Sequence, residues 1–175
     1  TGVYQMNPSW LTNSQNLNLG SPHGTLGMTI PVELAWMPNL NELPGTYKLG
    51  YWHDTVGGED LYYNQDGNPL IIDGGKARQH DSKDGAYFVA EQQVTAVDGD
   101  SSRGVSVFLM GTLNDQDITS VDKSLALGVS YQGPFAARPT DKWGLAAKYL
   151  HVNDSLADSA QLYNDNNALY MPIQE

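Results

Sequence analysis

The sequence predicts an all-β protein whose antiparallel strands form a section of a transmembrane β-barrel. Three observations carry that expectation. Two neighbouring segments, Ser124–Tyr131 and Lys142–Tyr149, alternate residue by residue between a large apolar face and a small or polar one, the period-two signature of a strand. No apolar run approaches the roughly 20 residues of a membrane-spanning helix; the longest are a few residues, as in Val107-Phe-Leu-Met110. The connections between alternating segments are themselves alternately short and long, as in barrel hairpins with tight turns on the periplasmic side and loops outside.

Taken in order, Gly2 to Met6 reads as the interior of a partial strand. Gly27–Trp36 sets Met28, Ile30, Val32, Leu34 and Trp36 against Thr29, Pro31, Glu33 and Ala35. Pro31 is the awkward member, because proline donates no ladder hydrogen bond. Thr46–His53 sets Tyr47, Leu49 and Tyr51 against Thr46, Lys48, Gly50 and Trp52. Ala86–Ala96 sets Phe88, Ala90, Val94 and Ala96 against Tyr87, Glu91, Gln93 and Thr95, with Gln92 as a polar flaw in the apolar face. Gly104–Leu113 is weaker, since Phe108 and Met110 oppose Val105, Val107 and Leu109. The last pair places Leu125, Leu127, Val129 and Tyr131, then Trp143, Leu145, Ala147 and Tyr149, on the apolar side. Leu169 onward reads as a second partial strand. The intervening segments run long (7–25), short (38–44), long (54–84), short (98–103), medium (114–122), short (133–141) and long (153–168). Their Asn, Asp, Gly and Ser content predicts turns and no helix.

Composition narrows the function classes. The formal net charge of -11 offers no basic patch to neutralise phosphates, which argues against nucleic acid as a partner. With no cysteine, disulfides and thiolate metal sites are impossible. A mean hydropathy of -0.42 ordinarily marks a soluble chain, but in a barrel only alternate strand residues meet lipid and the loops are hydrophilic.

The candidate functional residues lie on the polar face: Glu33, Lys48, Trp52, Tyr87, Glu91, Gln93 and Lys148. Charged rings set ion preference in a pore, and aromatic faces beside hydrogen-bonding groups offer a sugar a surface. Equally, such residues simply solvate a water-filled interior. Trp36, Tyr47, Tyr51, Tyr131, Trp143 and Tyr149 fall near strand ends, where interfacial aromatic girdles sit; the core of a soluble β-sandwich uses the same alternation. Acidic clusters at Asn114–Asp117 with Asp122, and at Asp98–Asp100, could hold Ca²⁺ through oxygen ligands, but neither has a full loop motif and solvated loop acids are the simpler reading. His23, His53, His80 and His151 lack metal-ligand spacing, so no metal site is expected. Glu33 and Glu91 could form a glycosidase pair, yet nothing fixes their separation, and no nucleophile elbow, phosphate loop or Rossmann fingerprint is present.

Several segments also carry a family resemblance. Leu43-Pro-Gly-Thr-Tyr-Lys-Leu-Gly-Tyr-Trp52, the Ala90-Glu-Gln-Gln-Val94 strand, the Ala137-Arg-Pro-Thr-Asp141 turn and Tyr149-Leu-His-Val-Asn-Asp154 together resemble the carbohydrate-selective porins of the OprB type. Gly2-Val-Tyr-Gln-Met-Asn-Pro8 and Ile30-Pro-Val-Glu33 are similar to the segments that precede these in that family. The resemblance implies an outer-membrane barrel of about sixteen strands that passes glucose and related mono- or oligosaccharides by passive diffusion. It implies contact with outer-membrane lipid, no cofactor and no covalent chemistry, and leaves monomer and homo-oligomer both open. Residues 1–175 then form one partial barrel domain without an internal boundary. About six full strands and two partial ones are present, as in an internal fragment lacking the family's amino-terminal part and last strands. The sugar-selecting constriction belongs largely to the missing earlier part, so the resemblance assigns no binding residue. The reading from another class is a soluble all-β carbohydrate-binding module or glycosidase.

Overall fold

The computed structural model describes residues 1–6, 27–167 and 172–173. In chain order the first elements are β1 (Tyr4–Met6), β2 (Gly27–Trp36), β3 (Asn39–Leu40), β4 (Leu43–Asp54), β5 (Glu59–Asn64), α1 (Leu70–Asp73) and β6 (Ala77–Gln79). Then come β7 (Lys83–Gln93), β8 (Gly104–Asn114), β9 (Val121–Gln132), β10 (Lys142–Val152) and α2 (Asp154–Asn166). One antiparallel sheet runs β1-β2-β4-β7-β8-β9-β10, each strand pairing with the next long strand in the chain. The long strands have 10 to 12 residues, about 34–40 Å along the strand, which at a barrel tilt near 40° rises enough to span a ~25 Å apolar band.

The register aligns the alternation of neighbouring strands. Trp36 pairs with Tyr47, Tyr47 with Ala90, Ala90 with Leu109, Leu109 with Leu127 and Leu127 with Ala147. Residues two apart share a face, so all the predicted apolar sets fall on one side of the sheet. That side is exposed: Leu34 is 72% accessible and Leu145 76%. Among the described residues only Ala126 and Ala160 are buried apolar residues, and no side chain is fully buried. A soluble sandwich would pack a second sheet over that face and bury it; here the long strands form a single layer, and the sandwich reading has no core to describe.

Pro31 sits inside β2 opposite Trp52. Its carbonyl accepts from Gly2 N at 3.3 Å, so this residue's hydrogen-bonding edge points toward β1, because an antiparallel residue directs N–H and C=O to the same neighbour. The missing donor therefore removes nothing from the β2–β4 ladder. The short connections are hairpin turns: Asn41 and Glu42 have φ of 52° and 66° between the paired Leu40 and Leu43, and Asp98 and Gly99 have φ of 52° and 78° between Val97 and Asp100. Two left-handed residues twist a tight turn in the same sense as the strands it joins. Strands β4, β7 and β9 begin three residues earlier than expected. β7 ends at Gln93, because Val94 and Thr95 both donate to Val105 O, a bulge that turns the chain.

The expectation of no helix is corrected. α2 occupies the segment read as a long loop, and α1 with the β5–β6 hairpin fills the connection from β4 to β7. Asn153 starts α2 by accepting from Ser155 N at 2.9 Å, the usual way an Asn side chain satisfies an orphan helix donor. Leu156 and Ala160 then line, with Leu61, Leu70 and Ile71, a 520 Å³ apolar hollow shared with α1 and β5. Asn and Asp in 153–168 signal turns when counted, but here they cap and flank a helix. The partial strand expected from Leu169 onward lies largely outside the described residues, as do His23 and the connection at 7–26.

Candidate functional site

The face opposite the apolar one carries the candidate pore-lining residues. Glu33, Gly50, Tyr87, Thr112 and Ser124 form one row across β2, β4, β7, β8 and β9. Gly50 is what lets this row close up. A Cβ there would lie 2.2 Å from the Tyr87 ring, so the missing side chain leaves room for Tyr87 to lie across β4 and donate to Glu33 Oε2 at 2.6 Å. Lys48, on the neighbouring row, completes the group with Nζ 3.2 Å from Glu33 Oε1. Further along the row Thr112 and Ser124 share a hydrogen bond of 2.8 Å.

Two more rings lie over glycines on this face. Trp52 covers Gly85, where a Cβ would meet the indole at 2.3 Å, and Phe108 covers Gly128, where it would meet the ring at 2.6 Å. The result is a diagonal of three aromatic rings on β4, β7 and β8. Beside Phe108 a groove of 370 Å³ is lined by Val89, Glu91, Phe108, Met110, Ser130 and Lys142. A ring face flanked by a carboxylate, a hydroxyl and an ammonium group matches the two surfaces of a sugar, with its apolar C–H face and its equatorial hydroxyls.

Of the seven predicted residues, Lys48 and Tyr87 both contact Glu33, and Trp52 stands one pair beyond Gly50 along β4. Glu91 faces the same side but sits in the Phe108 groove, two rows from Glu33. That separation and the ion pair of Glu33 give no glycosidase-like pair of free carboxylates. Lys148 lies on the same face in β10, four strands from Lys48, about 19 Å across the sheet, and has no ion-pair partner among the described residues. Gln93 is buried, its amide donating to Thr95 O at 2.8 Å and Arg103 O at 3.3 Å; it holds the β7–β8 turn and does not present a free group to the lumen. Phe108, Ser130 and Lys142 join the site unexpectedly. Alternation already placed Phe108 on this side, but the apolar residues on both faces of β8 obscured it.

The charges are matched. The long strands carry the carboxylates Glu33, Asp54, Asp84, Glu91 and Asp122 against Lys48, Lys83, Lys123, Lys142 and Lys148, so the whole net charge of -11 belongs to residues outside them. The acids expected in loops are locally engaged: Asp100 accepts from Ser102 N and Oγ at 2.9 and 2.6 Å, and Asp122, which the structure places in β9, pairs with His151 and Lys123 at 2.7 and 3.3 Å. Among the described residues no three His, Cys, Asp or Glu side chains converge as a metal site would require.

The six predicted girdle aromatics all occupy the apolar face. The Trp36 and Tyr47 rings lie 5.3 Å apart, tilted by 33°, and Trp143 pairs in register with Tyr131, all at the turn end of the sheet. At the loop end, the Tyr51 hydroxyl donates to Asp84, which also bonds His53, while Tyr149 sits beside His151. Rings with their bodies among aliphatic residues and their polar tips near strand ends suit the two membrane interfaces.

Comparison with known proteins agrees with this geometry. The model of the OprB family of carbohydrate-selective porins matches residues 1–175. Porin B of Pseudomonas aeruginosa is 40% identical, over 99% of this chain and 40% of its own length. A putative porin, QuiX, of Acinetobacter baylyi is 34% identical, over 97% of this chain and 37% of its own. The high-pH structure of Pseudomonas putida OprB superposes with a TM-score of 0.88 at 38% identity, covering 98% of this chain and 42% of that one. The chain thus spans about 40% of the length of these relatives, which are channels and not enzymes. From its two-faced sheet and from these matches, the chain belongs to the OprB family of carbohydrate-selective porins, β-barrel proteins of the outer membrane.

Proposed function

We propose that these strands supply part of the wall of a water-filled barrel through which carbohydrates, glucose and related sugars among them, cross the outer membrane by passive diffusion. The observation that carries this reading is the lumen face itself: three rings in a diagonal, interspersed with hydroxyls and with charges of both signs in equal number. An uncharged, hydroxyl-rich solute gains from such a wall, whereas one sign of ion meets no net attraction along it. Stacking along successive rings replaces part of the water a sugar loses on entering, without a single deep site that would trap it. Glu33 and Lys48 are neutralised by each other and chiefly hold Tyr87 in place. Beside Phe108, Glu91 and Lys142 are a carboxylate and an ammonium group left to meet solute, together with the Ser130 hydroxyl.

Liposome swelling with the full-length protein tests this. Glucose is expected to permeate faster than gluconate, an anion of similar size, and Phe108→Ala is expected to slow glucose several-fold while leaving small-ion conductance nearly unchanged. Equal permeation by glucose and gluconate, or indifference of the sugar rate to Phe108→Ala, contradicts the proposal.

A further inference from the structure

The apolar face is not uniform. On its loop-end half, a groove of 400 Å³ runs between Leu49, Phe88, Leu113, Leu125 and Tyr149. Its floor is low because Ala86 and Gly111 stand where their neighbours carry large side chains. A Cβ on Gly111 would lie 2.5 Å from the Phe88 ring, so that ring leans over the glycine and forms one wall. At the mouth, where the strands approach the loops, Lys123 and His151 are paired in register on this same face. Lys123 is the lone lysine of the long strands on the apolar side, with its side chain 43% accessible.

From this geometry we infer that the groove holds one acyl chain of an anionic, phosphate-bearing membrane lipid, whose headgroup meets Lys123. The inference rests on the barrel reading, which makes this face the lipid-contacting one. Hydrocarbon, not water, then surrounds the groove, and a recess among apolar side chains in hydrocarbon is filled by a chain. A lysine on a lipid-facing wall reaches for the headgroup layer. Asp122 does not exhaust it: the ammonium has three donors, and the carboxylate 3.3 Å away takes one. That carboxylate also receives His151 Nδ1 at 2.7 Å, and Asp154 lies 3.6 Å from His151 Nε2, so the Lys123 ammonium and the His151 ring are both held in position at the mouth.

Native mass spectrometry of the full-length protein, released from detergent after incubation with dioleoylphosphatidylglycerol or dioleoylphosphatidylcholine, tests the site. The wild type is expected to retain one phosphatidylglycerol in preference to phosphatidylcholine. Ala86→Leu, which raises the floor of the groove, is expected to abolish retention, and Lys123→Gln to bring phosphatidylglycerol down to the phosphatidylcholine level. Unchanged retention in Ala86→Leu, no preference between the two lipids, or a dimer mass that Ala86→Leu removes, overturns the inference. Circular dichroism and heat-dependent gel mobility distinguish a misfolded variant, and Lys123→Gln, at an exposed position, tests the headgroup contact independently of packing. Failure of the wild type to insert into bilayers would defeat the barrel reading itself, whereas insertion without selective lipid retention defeats only the groove.

Discussion

At the scale of single residues, the arrangement of the lumen face depends on what is absent as much as on what is present. Gly50 faces the Tyr87 ring so closely that a methyl group there would sit 2.2 Å from it. Gly50→Ala is therefore expected to displace Tyr87, break its bond to Glu33 and cost about 1–3 kcal/mol as an overpacking change, read as a lower urea midpoint in lipid-assisted refolding. The loop residue Asp60 makes a different prediction. Burial pushes its carboxyl up, but the N–H of Tyr63, the imidazole of His80 and the N–H of Tyr62 outweigh that and hold it below the usual carboxylate range. A carboxyl depressed in the folded state stabilises fully above its unfolded value of about 3.9 and loses that contribution as pH falls through the lower folded value. Amide exchange at Tyr62 and Tyr63 should accordingly stay protected down to mildly acidic pH and speed up only below the ordinary carboxylate range. Asp60→Asn should show weaker protection already at neutral pH. None of these contacts was visible in the sequence, because Glu33, Lys48 and Tyr87 meet only through the register of three strands, the last reached after the long β4–β7 excursion.

At the scale of elements, the strands were legible and the connections were not. A strand with different environments on its two faces writes that difference into every second residue, so β2, β4, β9 and β10 could be read off directly; only their ends moved, by up to three residues. The gaps in the pattern had structural causes: Gln92 on the apolar face accepts from the Tyr47 hydroxyl at 2.9 Å, and Pro31 spends its missing donor where no β2–β4 bond is lost. α2 escaped notice because its helix-forming Leu156, Ala157, Ala160, Gln161 and Leu162 are diluted by Asp, Asn and Ser, and because its apolar side faces other loop elements. Asn153 ties that helix to the β8–β9 connection by donating to Gln116 O and Thr119 O at 2.5 and 2.9 Å while accepting from Ser155 N. Asn153→Ala is expected to cost at least the ~1 kcal/mol of a lost cap, with faster amide exchange in α2 and no change in β4 to β8. The strands themselves predict a sided response to charge. Leu127→Arg or Leu145→Arg should cost about 2–4 kcal/mol of folding free energy in bilayers, while Ser130→Arg, on the lumen face one pair along from Leu127 and Val129, should be tolerated.

For the molecule as a whole, the central feature is a sheet with no conventional core. Among the described residues the buried apolar side chains are Ala126 in β9 and Ala160 in α2, which cannot hold these strands together in water; on the proposed reading the apolar face meets lipid and the opposite face a water-filled lumen. An open sheet edge is not stable in hydrocarbon, so strands β1 and β10 require neighbours, consistent with a chain that spans about 40% of its porin relatives. The acidic excess lies outside the long strands, so on the barrel reading a strongly acidic, hydrophilic composition coexists with a membrane wall. The most direct test of that two-faced wall uses the absence of native cysteine from these 175 residues. Single cysteines are placed at successive positions from Ser124 to Tyr131 in the full-length protein, reconstituted in bilayers and exposed to a water-soluble maleimide. Labelling at 124 and 130 with protection at 125, 127, 129 and 131 is the predicted result, position 126 being buried and 128 covered by Phe108. Uniform labelling, uniform protection or the opposite alternation would contradict the assignment of lipid to one face and water to the other.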